Sequence, residues 1–179
     1  MGQDFLKEGE QTKITENVSK IASKFTGEGF DLITQILKWI HKNLKPNSDK
    51  KIKERIFRRR IAAQIIKDGF TTGCTDIALA FIVLARAKRI PTKYVEAIRN
   101  KWMETGDEDC IEGHVFVEVF LNGKWHIIDP MEACLKFWYD RWIVYEVGLD
   151  SWDIGIHDFQ ELKQKFLDFR KDFSRDRKK

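Results

Sequence analysis

Hydrophobic and polar positions alternate along the chain in two regimes, with the changeover near Pro91. Before it the period is helical. Ile14, Val18, Ile21 and Phe25 recur every three to four residues and predict an amphipathic helix over 12–26. Gly27 and Gly29 interrupt it, and FDLITQILKWIHKNL (30–44) predicts a second helix that stops before Pro46. A third is expected from a cap at Asn47, Ser48 or Asp49 to about Lys67, ended by Asp68-Gly69. The fourth begins at Cys74 and runs to about Lys88, and it is apolar around nearly its whole circumference, which predicts a helix buried through the middle of the fold.

After Pro91 the period shortens. TKYVEAI, HVFVEVFL and KWHIID are β-branched and aromatic, and Asn122-Gly123 is a strong signal for a two-residue hairpin turn. Residues 99–112 read as a polar loop, RWIVYEVG (141–148) as a further strand, and DFQELKQKFLDFRKDF (158–173) as a closing amphipathic helix. Helices followed by antiparallel strands predict an α+β domain with helices packed on a meander sheet. The expected organisation is a helical extension over 1–27, a domain over 28–173 and a basic tail over 174–179.

Bulk composition narrows the class without naming a function. A hydrophobic fraction of 42% supports a real core, and a net charge of +4 is too mild to imply a nucleic-acid partner. The densest basic run, KKIKERIFRRR (50–60), reads as a solvated helix face, because apolar residues interleave with it and no aromatic platform accompanies it. Three cysteines with no CxxC pair fit a reducing compartment. No segment has a signal peptide's apolar core or the roughly 20 apolar residues of a membrane span, so the expected location is cytoplasmic, with no membrane partner. Cys110 and Cys134 lack metal-ligand spacing and no calcium-loop pattern is present, so neither metal nor other cofactor is expected.

Candidate chemistry concentrates in three residues. Cys74 opens the buried helix in Thr71-Thr72-Gly73-Cys74-Thr75-Asp76, where unsatisfied N–H groups favour a thiolate and Gly73 lets a substrate approach the backbone. The Cys74 N–H is then a natural oxyanion donor. A thiolate nucleophile needs a base held by a third group. With an Asn122-Gly123 turn, Leu121 opposes Lys124, so Asp129 opposes Phe116 and His114 lies two residues along on the same face, roughly 7–8 Å away at the backbone. His126 pairs with Val119 and points to the other face, so hairpin parity selects His114 as the partner of Asp129.

Four elements in order then resemble the transglutaminase-like superfamily, whose fold is related to papain-type cysteine proteases. They are Gly73-Cys74-Thr75-Asp76 with its helix; Arg89-Ile90-Pro91-Thr92-Lys93-Tyr94-Val95, similar to the family's GIPARYV; Gly113-His114-Val115-Phe116-Val117-Glu118-Val119, similar to HAWVEV; and Trp125-His126-Ile127-Ile128-Asp129-Pro130, similar to WxxxDP. The resemblance implies a papain-like core with Cys74 as nucleophile, His114 as general base then acid, and Asp129 orienting His114. It also offers Trp39 as an oxyanion-holding tryptophan, although its spacing equally fits a core position. The papain-type oxyanion glutamine has no counterpart, since Asp68 stands in that region, and His114 is followed by Val-Phe where Ala-Trp is usual. The expected activity is thiol-dependent hydrolysis or acyl transfer on peptide or glutamine-type amides. The alternative is a catalytically silent member of the fold that binds a protein or nucleic acid.

Overall fold

A computed structural model describes residues 2–176. After a 3-10 turn at Gln3–Leu6, the helical part comprises α1 (Glu16–Ala22), α2 (Gly29–Asn43), α3 (Lys50–Ile56), α4 (Ala62–Asp68) and α5 (Cys74–Ala87). Two short strands, β1 (Lys45–Pro46) and β2 (Phe70–Thr71), pair in parallel and tie the end of α2 to the segment that enters α5. The second half holds β3 (Thr92–Arg99), α6 (Asn100–Thr105), β4 (Gly113–Leu121), β5 (Lys124–Asp129), β6 (Cys134–Lys136), β7 (Trp142–Gly148) and α7 (Phe159–Asp176). The last five strands form one antiparallel sheet in the order β6-β5-β4-β3-β7.

Helix α5 is central because its sequence leaves it no face for water. Every residue from Ala78 to Arg86 is buried, with α1, α2 and α4 on one side and the sheet on the other. Its sheet-side partners are Tyr94, Val115, Val117 and Val119, as strand alternation requires. The segment expected as an N-terminal extension contributes Val18, Ala22 and Phe25 to this same core. Of the tail expected over 174–179, the last three residues lie outside the described residues.

The hairpin follows its turn. Asn122 and Gly123 have φ of 51° and 78°, the left-handed pair a type I′ turn needs, and the register sets Leu121 against Lys124 and Val117 against Ile128. Three features differ from the pattern in the sequence. The third helix is two, α3 and α4, because the chain leaves the helix at Phe57 and Arg58 takes φ of 57° to turn its side chain inward. Residues 99–112 contain α6, whose Trp102 is 1% exposed and packs on Phe166 of α7. A short strand, β6, extends the sheet beyond β5.

The basic run of 50–60 is only partly a solvated face. Arg58 and Arg60 are buried in ion pairs, so they are structural cations rather than a surface stripe. Among the described residues no helix is long and apolar enough to cross a membrane.

Candidate active site

Cys74 is the first residue of α5, half-buried, and the turn before it is braced from two sides. Gly73 caps the helix with no side-chain hydrogen bond of its own. Instead Asp76, in the first turn, reaches back: its Oδ2 accepts from the Thr72 N–H at 2.7 Å and the Thr72 hydroxyl at 2.9 Å. This is the logic of a capping box, shifted one residue outward. Arg60 locks the carboxylate, donating from Nη2 to Asp76 Oδ2 at 2.6 Å and from Nη1 to Asp68 Oδ2 at 3.0 Å, with its guanidinium over the Phe70 ring.

Gly73 itself has extended backbone angles that any residue adopts, and an added Cβ would meet nothing within 4 Å. The fold therefore does not require glycine there.

His114 and Asp129 meet at the end of the sheet where β4 begins and β5 ends. His114 Nε2–H donates to Asp129 Oδ2 at 2.9 Å. The other carboxylate oxygen accepts from the backbone N–H groups of Met131 and Glu132 at 3.1 and 3.2 Å, which fixes the carboxylate plane. Behind it, His41 of α2 donates from Nε2 to the Pro130 carbonyl at 2.8 Å. The imidazole is held between Phe116, edge-on at 4.7 Å, and Trp142, 5.2 Å away and tilted by 32°.

Cys74 lies near enough to the His114 imidazole to act on its charge. Burial works against charge on His114, but the hydrogen bonds to Asp129 and Cys74 and the charges of both outweigh it, raising its pKa to about 10. Burial also opposes charge on Asp129. The hydrogen bond and charge of His114, the Glu132 N–H and nearby Lys136 more than offset this and hold the carboxyl below its ordinary value.

The structure thus brings His114 and Asp129 into hydrogen-bond contact, with Cys74 near enough to the imidazole to act on its charge. Trp39 is half-buried against the same core cluster as Cys74, with its ring edge-on to Phe25 at 6.5 Å. Asp68 is engaged by Arg60 and Gln64. Among the described residues no group of three or more His, Cys, Asp or Glu side chains could hold a metal ion.

A second brace lies deeper. Arg58 is forked onto Glu96, Nη1 to Oε2 at 2.7 Å and Nη2 to Oε1 at 2.9 Å, and it also donates to the Tyr94 hydroxyl and Ser151 Oγ, each at 2.9 Å. Gln11 holds the backbone of the same run, donating to the Arg58 and Arg60 carbonyls at 3.0 Å each. Sequence reasoning on single motifs misses these groups. Asp76 alone leaves a trace, as an acidic residue in the first turn of a helix that lacks a capping side chain.

A cleft of about 430 Å³ opens on the Asp129 side of the imidazole. His114, Phe116, Asp129 and Trp142 form its inner wall, and Met131, Trp138 and Arg141 lie along its lining. Cys74 does not line this cleft.

Residues 13–130 match the model of the transglutaminase-like superfamily. Among solved structures, one from Cytophaga hutchinsonii, whose name as a cysteine protease is provisional, superposes with a TM-score of 0.67 at 20% identity over 87% of this chain. The chain spans about half of that structure, 49% of its length. A provisionally named protease from Parabacteroides distasonis is more distant, with a TM-score of 0.48 and 14% identity over 75% of this chain and 29% of its own. No protein of curated function matches the chain. The first superposition supports the fold, a papain-like arrangement of helices on an antiparallel sheet.

Proposed function

The chain belongs to the transglutaminase-like superfamily, and on that footing we propose that it is a thiol-dependent enzyme acting on peptide or glutamine-type amides through Cys74, His114 and Asp129. In this reading the Cys74 sulfur attacks the amide carbonyl while the Cys74 N–H and neighbouring helix-terminal N–H groups receive the developing oxyanion. An S–C bond forms, and the C–N bond breaks as His114 passes its proton to the departing amine. The thioester is then released to water, with His114 taking the proton, as in a protease or deamidase. Release to a second amine instead would make the protein a crosslinker.

One observation carries the reading: the His114 imidazole is fixed by Asp129 through one nitrogen and lies close to Cys74 at the start of α5. The backbone at Gly73, beside the sulfur, faces open space, as an approaching substrate would need.

The cysteines supply the test, because Cys110 is exposed whereas Cys74 is half-buried. Iodoacetamide at pH 6.5, followed by peptide mass mapping, is expected to label Cys74 before Cys110, since in this reading the imidazole base beside Cys74 activates its sulfur. The order is expected to reverse in His114→Gln. If Cys110 labels first in the wild-type protein, the site is silent and the binding-module reading takes its place.

A further inference from the structure

We propose that the segment from Met131 to Trp138 is an apolar substrate subsite, so that the enzyme selects amides carrying a large hydrophobic or aromatic side chain near the reacting carbonyl. The proposal rests on the thiol-enzyme reading above and specifies what that site takes.

The first observation is a concentration of misplaced apolar surface. Phe137 is 85% exposed, Trp138 67%, Met131 47% and Leu135 44%, and these four lie within eight consecutive residues. Scattered exposed apolar residues are ordinary, whereas a contiguous cluster marks a recognition surface. The second observation is continuity. Met131 and Trp138 line the same cleft as His114, Asp129, Phe116 and Trp142, so these two exposed residues continue the wall that holds the candidate catalytic pair, with Leu135 and Phe137 beside them in the chain.

The third observation is that Trp138 is displayed rather than merely loose. Tyr139, the next residue, donates from its hydroxyl to Glu118 Oε1 at 2.6 Å and packs edge-on against Phe116 at 5.3 Å. Glu118 is itself held by Lys93 at 2.7 Å. Backbone bonds from Asp140 to the Trp138 carbonyl and from Trp142 to the Tyr139 carbonyl, both 3.0 Å, close the turn. A tryptophan held outward by such anchors loses little further entropy when a ligand covers it.

Charge does not compete as the selecting principle. Each cation around the cleft has an anion of its own: Lys136 pairs with Glu132 at 2.6 Å, Arg99 with Glu112 at 3.2 Å and Arg141 with Asp140 at 3.6 Å. What the wall offers unspent is aromatic and thioether surface. The occupant is accordingly a substrate chain with an apolar side chain, placed there by the reaction at Cys74.

Two series of peptide vinyl sulfones test this, each reacting by adding Sγ to the vinyl carbon as the adjacent carbon takes up a proton. Acetyl-X-glycine vinyl sulfones, with X as Phe, Leu, Ala, Lys or Asp, vary the side chain before the electrophile. Acetyl-Ala-Gly vinyl sulfones bearing phenyl or methyl on sulfur vary it beyond. In at least one series the apolar member is expected to inactivate about 10-fold or more faster in kinact/KI than the small or charged members, the discrimination an apolar subsite gives. Rates are normalised to each protein's own iodoacetamide rate at Cys74. Trp138→Ala is expected to collapse the ratio and Trp138→Phe to keep most of it. Equal rates in both series, or a preference that survives Trp138→Ala combined with Phe137→Ala, overturns the subsite while leaving the thiol-enzyme reading intact. Failure of Cys74 to react even with iodoacetamide overturns both. Sedimentation showing a dimer that Trp138→Ala dissociates, or flotation with phosphatidylcholine vesicles that the same variant abolishes, assigns the patch to a second copy or to a lipid surface and overturns the proposal as well.

Discussion

Asp76→Ala is the substitution that most directly separates the brace from the chemistry. The Asp76 carboxylate is buried and accepts three hydrogen bonds, from Arg60 Nη2, the Thr72 N–H and the Thr72 hydroxyl. Each bond to a charged acceptor is worth about 1.5–3 kcal/mol, and breaking a buried ion pair costs about 3–5 kcal/mol because a charge is stranded. Arg60 is not wholly stranded, since Asp68 remains on Nη1 at 3.0 Å, and this places the expected loss near the lower end, about 3 kcal/mol. For urea unfolding with m of about 2 kcal/mol/M, the midpoint falls by about 1.5 M. Asp76→Asn keeps an oxygen for Thr72 and is expected to lose about half as much. The same variants are expected to slow iodoacetamide labelling of Cys74 in native buffer, because the Thr72-Gly73-Cys74 turn loses the group that fixes it. A midpoint within 0.5 M of wild type (about 1 kcal/mol) for Asp76→Ala refutes the brace. So does an Arg60→Met, Asp76→Ala double variant whose effects simply add, since bonded neighbours are expected to couple.

Three further outcomes follow from the same geometry. Glu96→Gln removes the charge opposing a fully buried Arg58 and is expected to cost about 3–5 kcal/mol, read as a Tm lower by about 10 °C in calorimetry; a change under 2 °C refutes it. His114 is charged below its pKa of about 10, so anionic iodoacetate is drawn to Cys74 relative to neutral iodoacetamide, and the ratio of their rates is expected to fall as pH rises through about 10 and to be flat in His114→Gln. Asp129 has a lowered pKa, so the stability it contributes is present above its ordinary value of 3.8 and is lost as pH falls below that. Urea midpoints measured from pH 5 down to 2 are expected to drop more steeply in wild type than in Asp129→Asn, and parallel curves refute this.

What was legible in the sequence is what local rules determine. The Asn122-Gly123 turn fixes a register, and a register fixes which face each side chain takes, so His114 and Asp129 are paired by arithmetic alone. Helix α5 is legible for a similar reason, because an apolar circumference has no solution except burial. Arg58 and Arg60 illustrate the opposite case. Their sequence neighbours are lysines and arginines, and nothing local distinguishes them from a solvated face. Their partners Glu96, Ser151, Asp76 and Gln11 stand far away along the chain, and only folding reveals which cations go inside. Trp102 hides in the same way, since the residues around it are polar and its cover comes from α7. The role expected of Trp39 came from resemblance and not from any local rule.

The long reach of Gln11 bears on where this domain can be cut. The family-defining stretch, 13–130, excludes both Gln11 and Thr12, which are fully buried. A fragment with those bounds would release the Arg58 and Arg60 carbonyls from Gln11 and take Thr12 Oγ1 away from Arg86, which donates to it at 2.8 Å. At its other end it would strip β7 from β3, exposing the hydrogen-bonding edge of a central strand and inviting chains to associate through it. It would also discard Trp142, one wall of the His114 box. The smallest autonomous unit is therefore wider than the motif-bearing stretch on both flanks, and an expression fragment designed on the motifs alone would carry all three candidate catalytic residues without the scaffold that aligns them.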